Sequence, residues 1–333
     1  MSELRVWVVG AGGLLGSHLL RAISSETHTM TVWSPEVKIA WQYPKRALTE
    51  LADHVERFSS DVISGHRAWA VVWCAGAGVV GTGAEALAAE TAYLKHILLG
   101  VGERLSDLPG HVILSSSAGG VYGNNPRQPL TEDSLCAPIS DYGRNKLLQE
   151  QLLLEWACGR ANVSTLIARI SNLYGPGQNM NKLQGLIGHI SRGLMHRTPI
   201  HVYVPLDTRR DYLYAADCAA HLTRCLDRLR REPRANVVKI FSAGETTTIA
   251  GIIAAFAKVT KGHPRVICSA DPARTLQPLH LQFKSKVWDD IPAPTRTDLI
   301  TGIQRVHHDL LSLFQRGLLP PPAPLGTSFH GPR

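Results

Sequence analysis

A tyrosine and a lysine four residues apart are the side chains of this sequence best suited to acid–base chemistry. Tyr142 and Lys146 stand in the segment DYGRNK, at the start of an amphipathic helix that carries Leu148, Leu152 and Trp156. A four-residue spacing places the phenol and the ammonium on one face of that helix. A phenol with a pKa near ~10 is a poor base at neutral pH, and a neighbouring cation favours the phenolate. The pair therefore predicts a tyrosine that acts as a general acid or base, and the alternative is a surface tyrosine beside a solvated lysine.

A glycine-rich turn near the start of the chain predicts a dinucleotide-binding loop. In VVGAGGLLGSHLL, Gly10, Gly13 and Gly16 close an apolar strand and open a helix. Such a turn lets the backbone approach a pyrophosphate, and the N–H groups and dipole of the helix start face the anion. We include Leu14 and Leu15 with these glycines in the predicted cofactor-binding loop. The apolar face of the helix would consist of Leu14, Leu15, Leu19 and Ile23.

Apolar runs that alternate with helix-like segments predict the sheet that must position these residues. The β-branched runs lie at 5–9, 29–33, 69–74, 111–116, 163–170 and 237–241. The alternation predicts an α/β fold, a doubly wound parallel (Rossmann) sheet with right-handed crossovers. Beside this sheet we expect a smaller C-terminal substrate-binding domain. The domain boundaries that we expect are a dinucleotide-binding Rossmann domain at 1–172, to which 210–250 returns, a substrate-binding domain at 173–209 and 251–319, and a disordered Pro- and Gly-rich tail at 320–333.

The composition describes a globular protein. The chain has 333 residues, of which 44% are hydrophobic and 19% charged, and no run approaches the ~20 apolar residues of a membrane span. Its first residues enter a strand directly and leave no room for a secretion signal, so we expect a cytoplasmic protein. The net charge of +8 comes from dispersed basic residues and suits an anionic small substrate. We therefore expect neither nucleic acid nor a membrane as a partner.

Cysteines and histidines show no metal-binding pattern. The six cysteines lack CxxC spacing and lie mostly in apolar stretches, which predicts buried free thiols. The fifteen histidines include His189, His196, His201 and the cluster His307-His308-Asp309. None of these has metal-site spacing that a second motif supports. We therefore predict no metal ligands.

Together, the motifs resemble the extended short-chain dehydrogenase/reductase family, in its NAD(P)-dependent nucleotide-sugar epimerase and dehydratase branch, which includes UDP-galactose 4-epimerase-like proteins. GAGGLLG is similar to the family's cofactor loop, SSSAGGVYG to its serine strand and YGRNK to its Tyr/Lys helix. ARISNLYGPGQN and RRDYLYAADCA follow in the family's order, so the resemblance covers most of the chain. We expect Asp217, in the last of these segments, to cap the following helix.

The resemblance implies a role for each matching residue. Tyr142 would be the acid/base at the sugar hydroxyl, and Lys146 would bind the nicotinamide ribose and favour the phenolate. Asn172 and Arg210 would hold the nucleotide diphosphate, Arg210 through a charge-assisted contact. Arg274, in DPARTLQP, would be a second diphosphate clamp, although this segment lacks the family's nearby aspartate.

The catalytic serine depends on how the family motif is counted. Counted back from Val-Tyr-Gly, the family's Ser/Thr falls on Ala118, whereas counted back from Tyr142 it falls on Ser117. One of the two following glycines would reconcile the counts by letting the strand end bulge by one residue. We take Ser117 as the catalytic serine and Ser116 as the reserve. Its hydroxyl would hydrogen-bond the sugar oxygen at the carbon that loses or gains hydride.

Departures from the family bear on the reaction. The sugar 4,6-dehydratases place an Asp-Glu pair after the serine, because eliminating water needs a second acid and base. This chain has Ala118, Gly119 and Gly120 there, so dehydration is not expected.

Departures at two strand ends bear on the cofactor. NAD-specific members end the second strand with an acid that hydrogen-bonds the adenosine ribose, where this chain has Trp33 and Ser34. NADP would favour a cation there, and downstream lie Lys38, Lys45 and Arg46. The sequence leaves NAD and NADP open. Small residues that would line the cofactor, Ala75 and Gly76, are kept after the third strand.

Three function classes remain. The leading prediction is a nucleotide-sugar epimerase that holds NAD and acts through a transient keto-sugar. The alternative is an NADPH-dependent nucleotide-sugar ketoreductase, and the least expected is a non-catalytic dinucleotide-binding protein, because Tyr142 and Lys146 are both kept. For either enzyme we expect a nucleotide-diphosphate sugar as the partner and a homodimer as the assembly.

Overall fold

The computed structural model describes residues 3–26, 29–76, 78–79, 82–123, 125–180, 185–268, 279–292 and 294–322. Its strands are β1 (Leu4–Val9), β2 (Met30–Trp33), β3 (Ala68–Trp73), β4 (Gly110–Ser117), β5 (Val163–Ile170), β6 (Asn172–Tyr174), β7 (Ile200–Val202), β8 (Arg209–Tyr214), β9 (Asn236–Phe241), β10 (Thr246–Thr248), β11 (Val266–Cys268) and β12 (His280–Leu281). Its helices are α1 (Leu14–Glu26), α2 (Pro44–Gly65), α3 (Ala84–Arg104), α4 (Ala118–Tyr122), α5 (Asp141–Ala157), α6 (Leu186–His196), α7 (Ala215–Leu229), α8 (Ile249–Thr260) and α9 (Leu299–Gln315).

The predicted apolar runs form one parallel sheet of six strands. Its order is β2-β1-β3-β4-β5-β9, and every neighbouring pair is parallel. The predicted doubly wound Rossmann fold is therefore confirmed. Because all six strands point the same way, the glycine loop after β1, the segment after β3 and the serines of β4 lie at one carboxyl edge of the sheet.

Alternate residues of each strand enter different cores, which explains why the strands are apolar throughout. On one face, Trp7 and Trp73 pack with α2, α3 and α5, for example against Phe58. On the other face, Val6 packs with α1 and α7, for example with Leu222. Both faces of the sheet are thus covered, as a parallel sheet requires.

A smaller sheet lies beside the large one in the fold. Its order is β10-β8-β12, and β6 also pairs with β8. Helices α6, α8 and α9 enclose a further core that contains Ile190, Phe256 and Ile303. The predicted domain boundaries remain a prediction. Residues 323–333 of the predicted tail lie outside the described residues.

Asp217 does not cap a helix, so this prediction was wrong. Helix α7 begins at Ala215 directly after β8, and the N-cap position falls on Tyr214, which makes no side-chain cap. Asp217 is the third residue of the helix, and its carboxylate accepts hydrogen bonds from the backbone N–H (2.7 Å) and hydroxyl (2.9 Å) of Thr297. Its role is to join α7 to the segment that precedes α9.

The cysteines are free thiols, as predicted, but they are not all buried. Cys218 and Cys225 are buried in the core between the sheet and α7. Cys158 and Cys268 are exposed. The apolar neighbours of these two residues in the sequence did not indicate their position at the surface.

Candidate active site

The glycine loop folds tightly between the ends of β1 and β3. Gly10 has a φ of +88°, which favours glycine, and its carbonyl accepts a hydrogen bond from the N–H of Gly13 at 2.9 Å. A Cβ at Gly10 would lie 2.5 Å from the backbone nitrogen of Ala75, and a Cβ at Gly16 would lie 2.4 Å from the carbonyl oxygen of Gly10. A side chain at either position would push the loop apart.

The space beside Gly12 in this loop is open and borders the start of α1. A Cβ at Gly12 would meet no atom within 4 Å, and α1 begins two residues later at Leu14. The first N–H groups of a helix have no partner within it and attract an anion. Leu15 is buried in the core, so its predicted contact with the cofactor would come from its backbone. The loop thus fits the cofactor that the sequence predicts.

The end of β2 presents a hydroxyl beside the glycine loop. Ser34 is exposed and follows Trp33, which pairs with Trp7 of β1. The nearby acid Glu36 is exposed and lies 3.3 Å from Arg57. The residue directly after β2 therefore carries no carboxylate that could bind the adenosine ribose.

Tyr142 and Lys146 lie in the first turns of α5, at the carboxyl edge of the sheet. The helix begins at Asp141 because the hydroxyl of Ser140 accepts a hydrogen bond from the N–H of Gly143. Lys146 is 6% exposed, and its Nζ lies 5.8 Å from the centroid of the Tyr142 ring. The predicted placement of both groups on one helix face is observed.

A buried carboxylate that the sequence analysis did not single out holds the lysine. Lys146 Nζ donates to Glu90 Oε1 at 2.9 Å and to Gln149 Oε1 at 3.0 Å. Burial of the ammonium opposes its charge, but the attraction of Glu90, with smaller contributions from Tyr142 and Glu150, leaves the pKa of Lys146 raised above its ordinary value. The ammonium is therefore charged at neutral pH.

The structure distinguishes Ser117 from Ser116. Ser117 Oγ accepts a hydrogen bond from Gly120 N–H at 3.1 Å and caps α4. A Cβ at Gly120 would lie 3.1 Å from Cε1 of Tyr142 and 3.2 Å from Ser117 Oγ, so the ring and the hydroxyl border the same small space. Ser116 Oγ points to the buried Glu150 instead and donates to Oε1 at 2.5 Å. The geometry supports Ser117 over Ser116 as the serine beside the tyrosine.

The expected bulge at the end of β4 is absent, which corrects that part of the prediction. β4 pairs with β5 without interruption from Gly110↔Val163 to Ser117↔Ile170. The short helix α4 then begins at Ala118. The one-residue difference between the two counts of the family motif therefore falls in α4, which includes Gly119 and Gly120.

An ion pair behind the serines fixes α5 to the sheet. Glu150 lies four residues after Lys146, and its Oε2 accepts a hydrogen bond from Arg169 Nη2 at 2.6 Å. Arg169 Nη1 also donates to the hydroxyl of Tyr122 at 2.6 Å, and burial raises the pKa of this tyrosine to about 12. The pair joins β5, α5 and α4 around Ser116.

Asn172 and Arg210 lie on the paired strands β6 and β8. Asn172 lies two residues after Ile170, which pairs with Ser117 in the large sheet. Its Nδ2 donates a hydrogen bond to the carbonyl oxygen of Asp211 at 2.9 Å. Arg210 is 9% exposed, and its Nη1 donates to the carbonyl oxygens of Arg209 (2.9 Å) and Leu279 (3.2 Å). Burial lowers the pKa of this arginine.

Asp211 was also missed by the sequence analysis. It is fully buried and accepts hydrogen bonds from Ser171 Oγ and from the N–H groups of Ala243 and Gly244. Burial raises its pKa, although these hydrogen bonds oppose the shift. Asp211 therefore ties β8 to the ends of β5 and β9. The predicted clamp Arg274 lies outside the described residues.

The described part of the chain contains neither a membrane-spanning helix nor a metal-binding cluster. None of its helices combines the length and the apolar character needed to cross a bilayer. In the same ranges, no three His, Cys, Asp or Glu side chains gather closely enough to hold a metal ion.

Comparison with known families gives a match over most of the chain. Residues 6–240 match the family described as "NAD dependent epimerase/dehydratase family". This range contains the glycine loop, the serines, the Tyr142–Lys146 pair and Arg210. The resemblance inferred from the motifs and the predicted nicotinamide cofactor are both confirmed.

Two characterised proteins and one solved structure illustrate what the chain is similar to. A UDP-glucose 4-epimerase of Rhizobium meliloti is 25% identical, covering 78% of this chain and 83% of its own. A dTDP-4-dehydro-6-deoxyglucose reductase of Escherichia coli is 30% identical over 43% of each chain, so the match spans less than half of the reductase. The crystal structure of UDP-glucose 4-epimerase from Brucella ovis in complex with NAD has a TM-score of 0.74 at 22% identity, covering 90% of this chain and 96% of that chain. At this identity the structural likeness shows the fold.

Proposed function

Because the chain belongs to the NAD dependent epimerase/dehydratase family, we propose that it epimerises a nucleotide-diphosphate sugar through a transient keto-sugar, with NAD(P) as its cofactor. The observation that carries this proposal is that Ser117 and the ring of Tyr142 border one small space beside Gly120. That space lies at the carboxyl edge of the sheet, the same edge as the glycine loop.

In this proposal Tyr142 moves the proton and Ser117 orients the reacting group. The hydroxyl of Ser117 hydrogen-bonds the oxygen of the reacting sugar hydroxyl. The phenol oxygen of Tyr142 takes the proton of that sugar hydroxyl as the carbon that bears it is oxidised. Reversible acceptance of a hydride is the chemistry that the nicotinamide supplies when bound. Tyr142 returns the proton when the carbonyl is reduced from its other face, so the reaction is balanced and needs no external reductant.

Lys146 supports this proton transfer from the same helix face. Its raised pKa keeps the ammonium charged, so a positive charge lies 5.8 Å from the centroid of the Tyr142 ring that gives and takes the proton. We assign its remaining hydrogen-bonding capacity to the nicotinamide ribose. The glycines at 10, 13 and 16, the backbone of Leu14 and Leu15, and Ser34, Ala75 and Gly76 would hold the rest of the cofactor.

Asn172 and Arg210 are the proposed binding residues of the nucleotide diphosphate. Within the described ranges, no carboxylate lies within ion-pair distance of the Arg210 guanidinium, which bonds only neutral carbonyls. A buried cation without a counter-charge is costly and would be stabilised by a phosphate. Arg274 stays a proposal that rests on the family resemblance alone.

The second candidate is an NADPH-dependent nucleotide-sugar ketoreductase, and the exposed Ser34 favours it. A hydroxyl at the end of β2 does not repel a ribose 2′-phosphate, whereas the acid of NAD-specific proteins would. The Escherichia coli relative is named as a reductase, which supports the same alternative.

Spectroscopy of the purified protein tests the two candidates. Retained NAD whose reduced form absorbs at ~340 nm after addition of a UDP- or dTDP-sugar supports the epimerase. Protein that is purified without cofactor and oxidises added NADPH only with a keto-sugar supports the reductase. Binding of the dinucleotide with neither reaction would contradict both and leave a non-catalytic binding protein.

A homodimer is part of the proposal and has support at the surface. Helices α3 and α5 pack side by side, and Leu99 and Leu148 are each 53% exposed. Leu148 is one of the apolar residues that indicated an amphipathic helix in the sequence, and it lies at the surface. Light scattering should give twice the chain mass for the native protein and the monomer mass for Leu99→Glu or Leu148→Glu.

A further inference from the structure

We propose that Glu90, on α3, is a positioning residue that fixes the Lys146 ammonium in the direction of the cofactor. The inference deepens the proposed function and rests on it in one respect, the assignment of Lys146 to the nicotinamide ribose.

Glu90, Lys146 and Gln149 are each hydrogen-bonded to the other two. Its Oε1 accepts from Lys146 Nζ at 2.9 Å and from Gln149 Nε2 at 3.1 Å, while Gln149 Oε1 accepts from Lys146 Nζ at 3.0 Å. An ammonium has three N–H donors. Two of them are taken by Glu90 and Gln149, which fixes the direction of the third. The three side chains are each buried, so they cannot exchange these partners for water.

The same carboxylate also contacts the backbone beside the glycine loop. Its Oε2 accepts a hydrogen bond from the N–H of Gly78 at 3.4 Å, and a Cβ at Gly76 would lie 2.9 Å from its Oε1. Ala75, in the segment after β3, packs against Gly10 of the glycine loop. One side chain on α3 thus connects the segment predicted to line the cofactor with the lysine on α5.

An amide replaces this carboxylate only in part. Glu90 accepts from Lys146 and Gln149 at Oε1 and from Gly78 at Oε2. A glutamine with its oxygen at the Oε1 position would keep the first two bonds, but its NH₂ group would face the N–H of Gly78 and the negative charge beside the ammonium would be lost. The charged and titratable groups around the ammonium are Glu90 on α3, Tyr142 and Glu150 on α5, and Cys74 directly after β3. Glu90 is the group among them that bonds Nζ directly.

A double-mutant cycle on NADH affinity tests the proposal. NADH is titrated by its fluorescence into the wild type, Glu90→Gln, Lys146→Met and the double variant. We expect Glu90→Gln to weaken NADH binding about tenfold in the wild-type background and to cause no further loss in the Lys146→Met background. Glu90→Asp keeps the charge and should recover part of the loss. Glu103→Gln, an exposed acid on the same helix, is the control and should bind NADH as the wild type does.

Equal losses in both backgrounds would show that Glu90 acts through helix packing and would overturn the proposal. If Glu90→Gln does not fold, the double variant, which has no unpaired buried charge, is compared with Lys146→Met by thermal unfolding. A double variant at least as stable supports the proposal, and a less stable one overturns it. The titration contains no sugar, so its result does not depend on turnover. Failure to turn over a nucleotide sugar would reject the proposed function, and the NADH affinities would still test the role of Glu90.

Discussion

The glycine loop and the Tyr142–Lys146 end of α5 lie at the same edge of the sheet but are built differently. The loop is held by backbone contacts, in which Gly10 packs against Ala75 and bonds Gly13. The α5 side is held by buried charges, Lys146 with Glu90 and Arg169 with Glu150. Gly10 and Gly16 therefore tolerate no added Cβ, whereas the buried ion pairs of the α5 side tolerate no lost charge. Removing one partner of a buried ion pair typically costs roughly 3–5 kcal/mol.

The largest expected effect comes from the phenol on the α5 side. Tyr142→Phe keeps the ring and removes only the hydroxyl, so folding and NADH affinity should be unchanged while kcat falls by ~10²–10⁴-fold. Steady-state kinetics with a UDP-sugar and an NADH titration measure the two quantities. Tyr43→Phe, a change at a tyrosine that is 59% exposed, is the control. Wild-type turnover in Tyr142→Phe would remove the phenol from the mechanism.

The next effect tests the loop. Gly10→Ala should weaken NADH binding and lower the free energy of unfolding by about 1–3 kcal/mol, because its φ of +88° and the 2.5 Å approach to Ala75 leave no room for a methyl group. Chemical denaturation and NADH titration check both. Gly12→Ala should unfold as the wild type does, because its Cβ meets nothing within 4 Å. Equal stability of both variants would mean that the loop is not closed by Gly10.

Two serine substitutions distinguish a catalytic role from a structural one on the α5 side. Ser117→Ala should lower kcat and kcat/KM together by about 10–100-fold, since a hydrogen bond formed chiefly in the transition state would be lost. Ser116→Ala removes a bond to Glu150 and should lower stability by about 1–2 kcal/mol with a small effect on kcat. Kinetics and unfolding of both variants decide the matter. A larger kcat loss in Ser116→Ala would make the reserve serine the catalytic one.

The smallest of these effects concerns substrate binding outside both regions. Arg210→Ala should weaken binding of a nucleoside diphosphate about tenfold, with sugar phosphates affected less. Arg210→Lys keeps the positive charge but loses the paired N–H donors of the guanidinium, so it should recover part of the affinity. Titration calorimetry with UDP measures it. Unchanged affinity in Arg210→Ala would remove this arginine from the proposed diphosphate site.

Within the site, the features that the sequence predicted depend on near neighbours. The tight turn needs glycines at 10, 13 and 16, and the helix face needs Tyr142 and Lys146 four residues apart. The six apolar runs match the strands of the large sheet because a strand buried on both faces must be apolar along its length. Such patterns are set by backbone geometry and burial, which a short segment already shows.

The contacts that the sequence did not predict join residues far apart in the chain. Glu90 lies 56 residues before Lys146, and Asp217 meets Thr297 across 80 residues. The choice of Ser117 over Ser116 depends on a glutamate 34 residues later that takes up the Ser116 hydroxyl. Parallel strands need long crossovers, so each strand end meets side chains whose distance along the chain carries no periodic signal. A buried charge can be recognised in a sequence only when its partner is known, and the fold alone brought these partners together.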